Sequence, residues 1–503
     1  MTLGDAITTL RELAVTPSAG VGAGADPITA IAYDSRRVIP GSVFVALKGL
    51  KADANAFADQ AAGRGARAIV SESDRPGAVT VPWIVVRDAR LALALLADRF
   101  FNHPSRRMPV TGVTGTNGKT TTAYLLSSIL DAAGLRAGML GTVAYRIAGE
   151  DREASRTTPE APDVQQLLND MLERGSRSAV MEVSSHALSL KRVDGMRFAA
   201  GVFTNLTRDH LDFHEDMEAY FAAKRRLFQM LPDGAPGVIN LDDPRGASLV
   251  EICSRPITYA INAAADVTPG PIEMTLAGLR FDIRTPKGVV QLKSKLVGRP
   301  NVYNILAATA AAIALDIPIE AIARGVAALP GVPGRFEVVS SEKDDVTVVV
   351  DYAHTDDALR NLLETARPLT RHRLVTVFGC GGDRDRSKRP LMGMVAARLS
   401  DVAVITSDNP RSEDPKRIIE EIERGIPAGT QASSRAPMVV SVVDRAEAID
   451  RAIAIATRGD VVLIAGKGHE KYQQIGDRVL PFDDGEVART ALKRRAQPAQ
   501  TDR

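Results

Sequence analysis

The sequence predicts an α/β protein built from three domains, and three observations carry this prediction. Short apolar runs alternate with helical segments along most of the chain, which is typical of parallel sheets wound with helices. The chain has 503 residues, too many for one core, and about 150 residues per domain suggests three. Two segments rich in Pro, Gly or charge interrupt the alternation, one near 102–108 and one at 328–337. We therefore expect domains at 1–107, 108–332 and 333–503.

The predicted strands follow one another in three groups. The first hundred residues contain the runs ITAIAYDS, GSVFVALKG, ARAIVSE and PWIVVRD, followed by a helical segment. The middle group comprises PVTGV, SAVMEV, AGVFTNL, GVINL and PITYA, then a β-rich insertion at 265–297 and a helix at 301–316. The last group comprises DVTVVVDYAH, RLVTVFGCGG, DVAVITSDNP, PMVVSVVD and DVVLIAGKGH. Ligands of open α/β sheets bind at the carboxyl ends of such strands, so we expect the site residues there.

Composition excludes several classes of protein. Apolar residues make up 45% of the chain, and Lys plus Arg total 63 against 61 for Asp plus Glu. This balance provides no basic field for nucleic acid or an anionic membrane. The two cysteines, Cys253 and Cys380, argue against a disulfide framework, and the N-terminus carries no export signal. The longest apolar run, 305–315, is shorter than the ~20 residues of a membrane helix. We expect a soluble cytoplasmic protein that binds neither nucleic acid nor membrane.

The run TGVTGTNGKTTT at 111–122 predicts a loop that holds nucleotide phosphates. Its glycines let the backbone turn tightly where a strand at 108–113 leads into a helix. Amides at the helix start and the Lys119 ammonium would bind phosphate oxygens, and Thr120 would offer its hydroxyl to Mg²⁺. The first glycine stands one residue early, with Val113 at the usual position, so the loop is a P-loop variant. The alternative is a glycine-rich turn without a ligand.

Acidic and imidazole side chains follow the next two predicted strands. Glu182 ends the apolar run SAVM, and Asp209, His210 and His214 come after GVFTNL. Oxygen ligands suit Mg²⁺, and one imidazole beside them is tolerated. These residues are therefore candidates for a magnesium site, and the alternative is that they cap helices and satisfy loop amides.

Lys224 lies on the apolar face of a predicted helix. Tyr220, Phe221 and Leu227 share that face at helical spacing. An ammonium in this position extends to solvent, is paired, or loses its proton through desolvation. From the residues alone we expect the Lys224 side chain to extend to solvent.

The third group of strands ends in loops that suit a zwitterionic ligand. Arginines can bind carboxylates with two parallel hydrogen bonds, and Glu470 or Asp408 can bind an ammonium. Cys380 has no recognisable base and is not expected to be a nucleophile. The alternative is that these loops are surface turns with solvated charges. The candidate residues are Arg384, Asp408, Asn409, Pro410, Arg411, Gly466 and Glu470.

Taken together, these motifs resemble the Mur ligase family of bacterial cell-wall synthesis. Within it, they are similar to the enzymes that add the third peptide residue to UDP-N-acetylmuramoyl-L-alanyl-D-glutamate. The resemblance spans nearly the whole chain. It rests on GTNGKTTT, TTPE, EVSSHAL, TNLTRDHLDFH, YFAAKRRLF, GRPNVYNILAA, PGRFE, DYAHT, GCGGDRD and DNPR.

The resemblance implies a UDP-substrate-binding N-terminal domain, a central P-loop-type ATPase domain and a C-terminal Rossmann-like domain that binds the amino acid. It implies an ATP-dependent amide ligase that works through an acyl phosphate, as a monomer. The implied ATP-binding residues are Gly115, Thr116, Asn117, Gly118, Lys119, Thr120, Thr121, Asn301, Arg335 and Asp351. The implied UDP-substrate-binding residues are Ser35, Thr157, Thr158, Ser184 and Arg192.

The resemblance also implies catalytic roles for Lys119, Lys224 and His210. Thr120, Glu182 and His210 match the magnesium sites. Lys224 matches a lysine that reacts with CO₂ to form a carbamate, whose negative charge could ligate Mg²⁺ and explain an inward orientation. Two positions depart from relatives: Leu190 replaces a glutamine found in some of them, and Asp356 replaces a usual proline.

Arg411 indicates which amino acid is added. Meso-diaminopimelate has a second carboxylate at its far end, whereas L-lysine does not. A buried arginine left unpaired by lysine costs several kcal/mol, so we expect meso-diaminopimelate. The alternatives are an L-lysine-adding or folylpolyglutamate-type ligase, or a binding protein switched by ATP.

Overall fold

The structure is a computed structural model that describes residues 1–15, 25–49, 53–77, 79–341, 343–427 and 437–496. These residues form three successive α/β units, each built around its own main sheet. The predicted fold class is confirmed, and each main sheet falls within one of the predicted domain ranges, whose limits stay a prediction. Across the described ranges, no helix is both long and apolar enough to cross a bilayer.

The first unit contains a four-stranded parallel sheet in the order β1-β2-β3-β4. Its short strands carry Val, Ile and Phe, which suit a sheet with covered faces. A one-turn helix in the predicted linker follows Asn102 and His103, both with positive φ. The elements are α1 (Leu3–Thr9), β1 (Ile31–Ala32), β2 (Val43–Val45), α2 (Ala58–Gly63), β3 (Ala68–Ser71), β4 (Trp83–Val85), α3 (Ala89–Phe100) and α4 (Pro104–Arg107), with 3₁₀ turns at Ser35–Arg37 and Ala54–Phe57.

The second unit contains an eight-stranded sheet and a smaller antiparallel sheet, the latter in the predicted β-rich insertion. Its elements are β5 (Val110–Thr114), α5 (Lys119–Ala132), β6 (Ala137–Leu140), β7 (Ala144–Ile147), β8 (Glu150–Glu153), α6 (Ala161–Glu173), β9 (Ser178–Glu182), α7 (Ser185–Ser189), β10 (Ala200–Phe203), α8 (Met217–Gln229), β11 (Pro236–Asn240), α9 (Gly246–Val250), β12 (Arg255–Tyr259), β13 (Thr268–Pro269), β14 (Glu273–Thr275), β15 (Gly278–Thr285), β16 (Gly288–Ser294), α10 (Arg299–Ala314) and α11 (Ile319–Ala328).

The order of the large sheet is β12-β11-β10-β5-β9-β6-β7-β8, parallel from β12 to β6. Strand β5 begins two residues later than predicted, because Pro109 has no N–H to donate to a neighbour. Val113 of β5 is paired with Glu182 of β9, and Thr114 with Phe203 of β10. The carboxyl ends of all three strands therefore meet where the predicted phosphate loop begins.

Helix α5 is fixed by burial against the sheet and against α10 and α11. Leu125, Leu126 and Ile129 of α5 are fully buried, as are Ile305 and Leu306 of α10. Each such side chain contributes about 1.5–3 kcal/mol relative to exposure. The start of α5, and with it the phosphate loop, is therefore held by a large apolar core.

The third unit contains a six-stranded sheet in the order β17-β18-β22-β19-β20-β21, parallel except for β17, and a separate hairpin of β23 and β24. Its elements are β17 (Glu337–Val338), β18 (Thr347–Asp351), α12 (Asp356–Ala366), β19 (Leu374–Phe378), α13 (Lys388–Leu399), β20 (Val402–Ile405), α14 (Pro415–Glu423), β21 (Met438–Ser441), α15 (Arg445–Ile455), β22 (Val461–Ala465), β23 (Tyr472–Ile475), β24 (Arg478–Pro481) and α16 (Asp484–Ala496), with a 3₁₀ turn at Arg367–Leu369.

Candidate active site

The predicted phosphate loop joins β5 to α5 in a conformation that requires glycine. Gly115 and Gly118 have φ of 146° and 87°. A β-carbon on Gly115 would overlap the hydroxyl of Thr204, and one on Gly118 would overlap the amide oxygen of Asn304. The Lys119 ammonium donates to two carbonyl oxygens of the loop, at 3.0 Å and 2.8 Å. This lysine therefore folds back over the residues that would surround a phosphate.

The end of β10 supports the same loop. The backbone N–H of Thr116 donates to the Asn205 carbonyl oxygen at 2.8 Å, and that of Asn117 donates to the Asn205 side-chain oxygen at 2.9 Å. The Thr204 hydroxyl donates to the Asn117 carbonyl oxygen at 2.6 Å. Neighbouring strand ends thus hold the loop before any ligand enters.

Glu182 lies beside the first turn of α5, as the sequence predicts. Its carboxylate is buried and accepts hydrogen bonds from the Thr120 hydroxyl at 3.0 Å and from the Thr142 hydroxyl at 3.0 Å. The Thr142 backbone N–H also donates to it, at 2.7 Å. A carboxylate and a hydroxyl oxygen thus lie together next to the phosphate loop.

This donor set fits Mg²⁺, which prefers hard oxygen ligands. Within the part of the chain that the structure describes, no group of three or more His, Cys, Asp and Glu residues could hold a metal. Mg²⁺ characteristically uses one or two protein ligands and completes its shell with waters and substrate phosphates. The Thr120 and Glu182 pair meets that requirement.

His210 lies in a cluster of rings after β10. Its ring centroid is 4.8 Å from that of His186 and 6.0 Å from that of Tyr220. The pKa of His210 is lowered, because burial outweighs the opposing effect of the adjacent Asp209 carboxylate, 3.5 Å away. His214 is buried and hydrogen-bonds to the Ser185 hydroxyl at 3.0 Å. His214 thus packs within the ring cluster, and the role of His210 as a magnesium ligand stays a prediction.

Lys224 does not extend to solvent, so the expectation from the residues alone is wrong. The side chain is buried, and its ammonium donates to the Gly115 carbonyl oxygen at 2.7 Å and lies 4.2 Å from the centroid of the Tyr220 ring. These partners hold the ammonium inside. Burial lowers the pKa of Lys224 well below its usual value, and the nearby Lys119 charge lowers it further. The inward orientation agrees with the family resemblance.

Arg335 connects the third unit to the phosphate loop. Its guanidinium donates to the Thr120 hydroxyl at 3.4 Å and lies 4.7 Å from the centroid of the Tyr352 ring. The pKa of Asp351 is raised, because burial outweighs the opposing effect of the Arg335 charge. Asn301 accepts a hydrogen bond from Asn304 at 3.0 Å, which places it one residue away from the Gly118 turn. Arg335 thus reaches the loop directly and Asn301 through one neighbour, while Asp351 accepts from the N–H of Phe336, the residue after Arg335, at 2.7 Å.

Four residues predicted to bind the UDP-linked substrate meet at the end of β9. The Thr158 hydroxyl donates to the Glu182 carbonyl oxygen at 2.8 Å and accepts from the Ser184 N–H at 3.1 Å. Arg192 donates to the Thr158 carbonyl oxygen at 3.0 Å, and Thr157 hydrogen-bonds to Thr142 at 3.0 Å.

Ser35 lies elsewhere, in the first unit. Its hydroxyl donates to the Gln60 side chain at 2.7 Å. Among the described residues, no hydrogen bond joins it to the four at β9.

The residues predicted to bind an amino acid lie at the ends of β19, β20 and β22. Asn409 donates to Glu470 at 3.0 Å, and the Arg411 guanidinium donates to the Gly382 carbonyl oxygen at 2.7 Å. Gly466 follows β22 with φ of 125°, and its backbone lies beside Asp408 and Arg445. Arg384 is exposed at the rim and donates only weakly to its neighbour Asp383 at 3.4 Å.

Lys467, which the sequence analysis did not single out, occupies the centre of this group. Its fully buried ammonium lies 3.2 Å from the Asp408 carboxylate and donates to the Asn409 side-chain oxygen at 2.8 Å. Burial raises the pKa of Asp408, but Lys467 and Arg445 outweigh that effect and lower it. Asp408 is therefore closely paired, whereas Glu470 lies farther from Lys467, at 3.8 Å, and is the candidate carboxylate for a ligand ammonium.

Family models match three stretches of the chain: the Mur ligase family, catalytic domain at 27–101, the Mur ligase middle domain at 113–312, and the Mur ligase, glutamate ligase domain at 334–468. The chain belongs to the Mur ligase family. A UDP-N-acetylmuramoyl-L-alanyl-D-glutamate--2,6-diaminopimelate ligase from Solibacter usitatus is 50% identical over 471 residues, covering 93% of this chain and 94% of the relative.

Two further proteins extend this similarity. The ligase of the same name from Geobacillus thermodenitrificans is 48% identical and covers 95% of this chain and 98% of its own. A solved structure, also of a UDP-N-acetylmuramoyl-L-alanyl-D-glutamate--2,6-diaminopimelate ligase, has a TM-score of 0.68 at 34% identity. It covers 94% of this chain and 96% of its own, so the similarity to this Mur ligase extends over all three units.

Two site residues of this Mur ligase escaped the sequence analysis for different reasons. Thr142 follows a short strand, and nothing in its local sequence marks it as a partner of Glu182. Lys467 had a visible signal, because a lysine between two glycines directly after the apolar run VVLIA lies at a carboxyl strand end.

Proposed function

We propose that this Mur ligase joins meso-diaminopimelate to the D-glutamyl carboxylate of UDP-N-acetylmuramoyl-L-alanyl-D-glutamate, using ATP, in the cytoplasm and as a monomer. The observation that carries the proposal is the convergence of the phosphate loop, the Glu182 carboxylate and Arg335 of the third unit at Thr120. The relatives that match this chain over nearly its full length are named for the same activity.

The phosphate loop and its neighbours account for ATP binding. The loop amides at the start of α5 and the Lys119 ammonium would bind phosphate oxygens, with Lys119 exchanging its two carbonyl partners for the nucleotide. The residues assigned to ATP are 115–121, Asn301, Arg335 and Asp351. Lys119 would also neutralise charge that develops on the transferred phosphoryl group.

Thr120, Glu182 and His210 would hold Mg²⁺, which neutralises phosphate charge when bound. We assign Lys224 to the same centre as a carbamate, formed when its neutral amine adds to CO₂ and releases a proton. Burial lowers the pKa of Lys224 and so supplies the neutral amine that this addition needs. The product is an anion beside the loop, in place of a buried amine.

The reaction follows from these parts in two steps. An oxygen of the D-glutamyl carboxylate attacks the γ-phosphorus of ATP, ADP leaves, and an acyl phosphate forms. The amine of the amino acid then attacks the acyl carbon, loses a proton, and phosphate leaves as the amide forms. Ser35, Thr157, Thr158, Ser184 and Arg192 would hold the UDP-linked substrate so that its carboxylate lies in line with the phosphorus.

The third unit would present the amino acid. Glu470 would bind an ammonium of the amino acid, and Arg384, at the rim, would bind a carboxylate. Arg411 would bind the distal carboxylate that distinguishes diaminopimelate from lysine. One nitrogen of Arg411 already donates to Gly382, which fixes the orientation of the guanidinium. Asp408, Asn409, Pro410 and Gly466 shape the loops that carry these groups.

The test supplies ATP, Mg²⁺ and the UDP-linked dipeptide with either meso-diaminopimelate or L-lysine, and measures product mass and phosphate release. We expect the diaminopimelate amide, with phosphate released only when both the acid and the amine are present. Equal use of lysine would contradict the assigned specificity. ATP hydrolysis without either substrate would favour a nucleotide-switched binding protein instead.

A further inference from the structure

The hairpin strand β23 is bonded along the loop that carries Arg411. The side-chain amide of Gln473 donates to the Asp408 carbonyl oxygen at 2.7 Å. The backbone N–H of Gln474 donates to the Asn409 side-chain oxygen at 2.9 Å, and its carbonyl oxygen accepts from the Arg411 N–H at 3.1 Å. The hairpin therefore bonds to Asp408, Asn409 and Arg411, three of the four residues of the 408–411 loop.

Arg411 depends on this support because its backbone is strained. Its φ of 52° lies in the left-handed region, where the β-carbon of a non-glycine residue crowds the following carbonyl oxygen. Such a conformation persists only where its surroundings fix it. Two hydrogen bonds from the hairpin do so, since the Gly476 N–H also donates to the Arg411 carbonyl oxygen at 2.7 Å.

Gln473 is the one side chain of β23 that bonds to the loop backbone. It is buried, and its amide satisfies a carbonyl oxygen at the start of the loop. Removing the donor would leave that carbonyl without its partner in a buried place, where loss of a hydrogen bond is costly. The effect would be transmitted along three residues to the Arg411 guanidinium, and not to the phosphate loop.

We propose that Gln473 is a positioning residue that, through the Asp408 carbonyl, holds the 408–411 loop so that Arg411 meets the distal carboxylate of the amino acid. Gln473 touches no substrate in this arrangement. Its contribution is to the discrimination between amino acids with and without a second carboxylate. This inference rests on the proposed function, because it assigns a determinant of that function's amino-acid choice.

The test compares Gln473→Met, which keeps the side-chain length and removes the donor, with the wild type in the full-length enzyme. We expect KM for meso-diaminopimelate to rise about tenfold. KM for ATP and the low kcat/KM for L-lysine should stay within about twofold, so the preference for diaminopimelate falls about tenfold. Gln291→Met makes the same chemical change on the exposed side of β16 and should leave every constant unchanged.

The outcomes separate the two proposals. Unchanged preference in Gln473→Met, or an equal loss with both amino acids and with ATP, would overturn the positioning role. If this variant does not fold, Gln473→Asn carries the same comparison with a smaller change. A wild type that makes no diaminopimelate amide contradicts the proposed function itself, and that result is visible before any variant is made.

Discussion

The Lys224 ammonium lies 2.7 Å from the Gly115 carbonyl oxygen, the same oxygen that accepts a hydrogen bond from Lys119 at 3.0 Å. Two lysines from different helices thus share one acceptor at the phosphate loop. Both are held where burial lowers the pKa of an ammonium, and the Lys119 charge lowers the pKa of Lys224 further. The lowered pKa of Lys224 favours its neutral amine, which is the form of an amine that adds to CO₂.

Replacing Lys224 by Ala should reduce amide formation at least about a thousandfold, because the anion proposed for the centre cannot form. Short carboxylic acids added to the variant should restore part of the activity by supplying a carboxylate in the vacated space. Product mass measures both effects. Lys293→Ala, on an exposed position of β16, is the matched control and should behave as wild type. Near-normal activity of Lys224→Ala would show that no charge is needed there.

Replacing Lys119 by Met should weaken ATP binding about a hundredfold or more, since a charge-assisted contact to phosphate is lost. The fold should be retained, because the methionine side chain fills the same space and the first turn of α5 stays buried. Titration calorimetry with ATP and Mg²⁺ measures the affinity, and thermal unfolding checks the fold. Unaltered heat of binding would exclude a direct contact between Lys119 and the nucleotide.

The sequence predicts those site residues that lie directly after the carboxyl ends of strands. Glu182 lies beside Thr120 because β9 is next to β5 in a parallel sheet. The apolar runs predict that both residues lie near carboxyl strand ends, but the adjacency of β9 and β5 does not follow from chain order, because β6, β7 and β8 lie between them in sequence. The three α/β groups and the β-rich insertion follow from the same alternation.

The remaining parts depend on contacts between distant segments, which local patterns do not encode. Lys224 is held inside by the Gly115 carbonyl, 109 positions away in sequence. Helical periodicity places Lys224 on the apolar face, but the usual tendency of lysine side chains to extend to solvent favours the wrong orientation, because this distant partner is not visible locally. The pairing of β23 with the 408–411 loop likewise joins segments far apart in sequence. Lys467 pairs with Asp408 only once β20 and β22 have folded into one sheet.

Replacing Arg411 by Ala should remove most of the preference for meso-diaminopimelate over L-lysine. The distal carboxylate loses its partner, so kcat/KM for diaminopimelate should fall about a hundredfold or more, in line with about 3 kcal/mol for a charged hydrogen bond. The rate with lysine should change little. Competition between the two amino acids in one reaction measures the preference directly. Arg280→Ala, at an exposed position of β15 in the second unit, serves as the control.

His469 should make the stability of the enzyme fall between pH 6.5 and pH 4. Its ring lies 5.0 Å from the Tyr352 ring, and burial, reinforced by the Arg335 charge, lowers the pKa of His469 to about 4. The folded protein therefore resists a proton that the unfolded chain binds near pH 6.5. Stability from this group is complete above pH 6.5 and is lost as pH falls through the folded pKa.

The variant His469→Phe keeps a ring against Tyr352 and cannot titrate. From pH 6.5 to pH 4 the wild type should lose up to about 3 kcal/mol of unfolding free energy that the variant keeps. Urea unfolding at several pH values measures this difference, and above pH 7 the two curves should run parallel. Parallel curves down to pH 4 would mean that His469 takes up its proton as easily in the folded enzyme as in the unfolded chain.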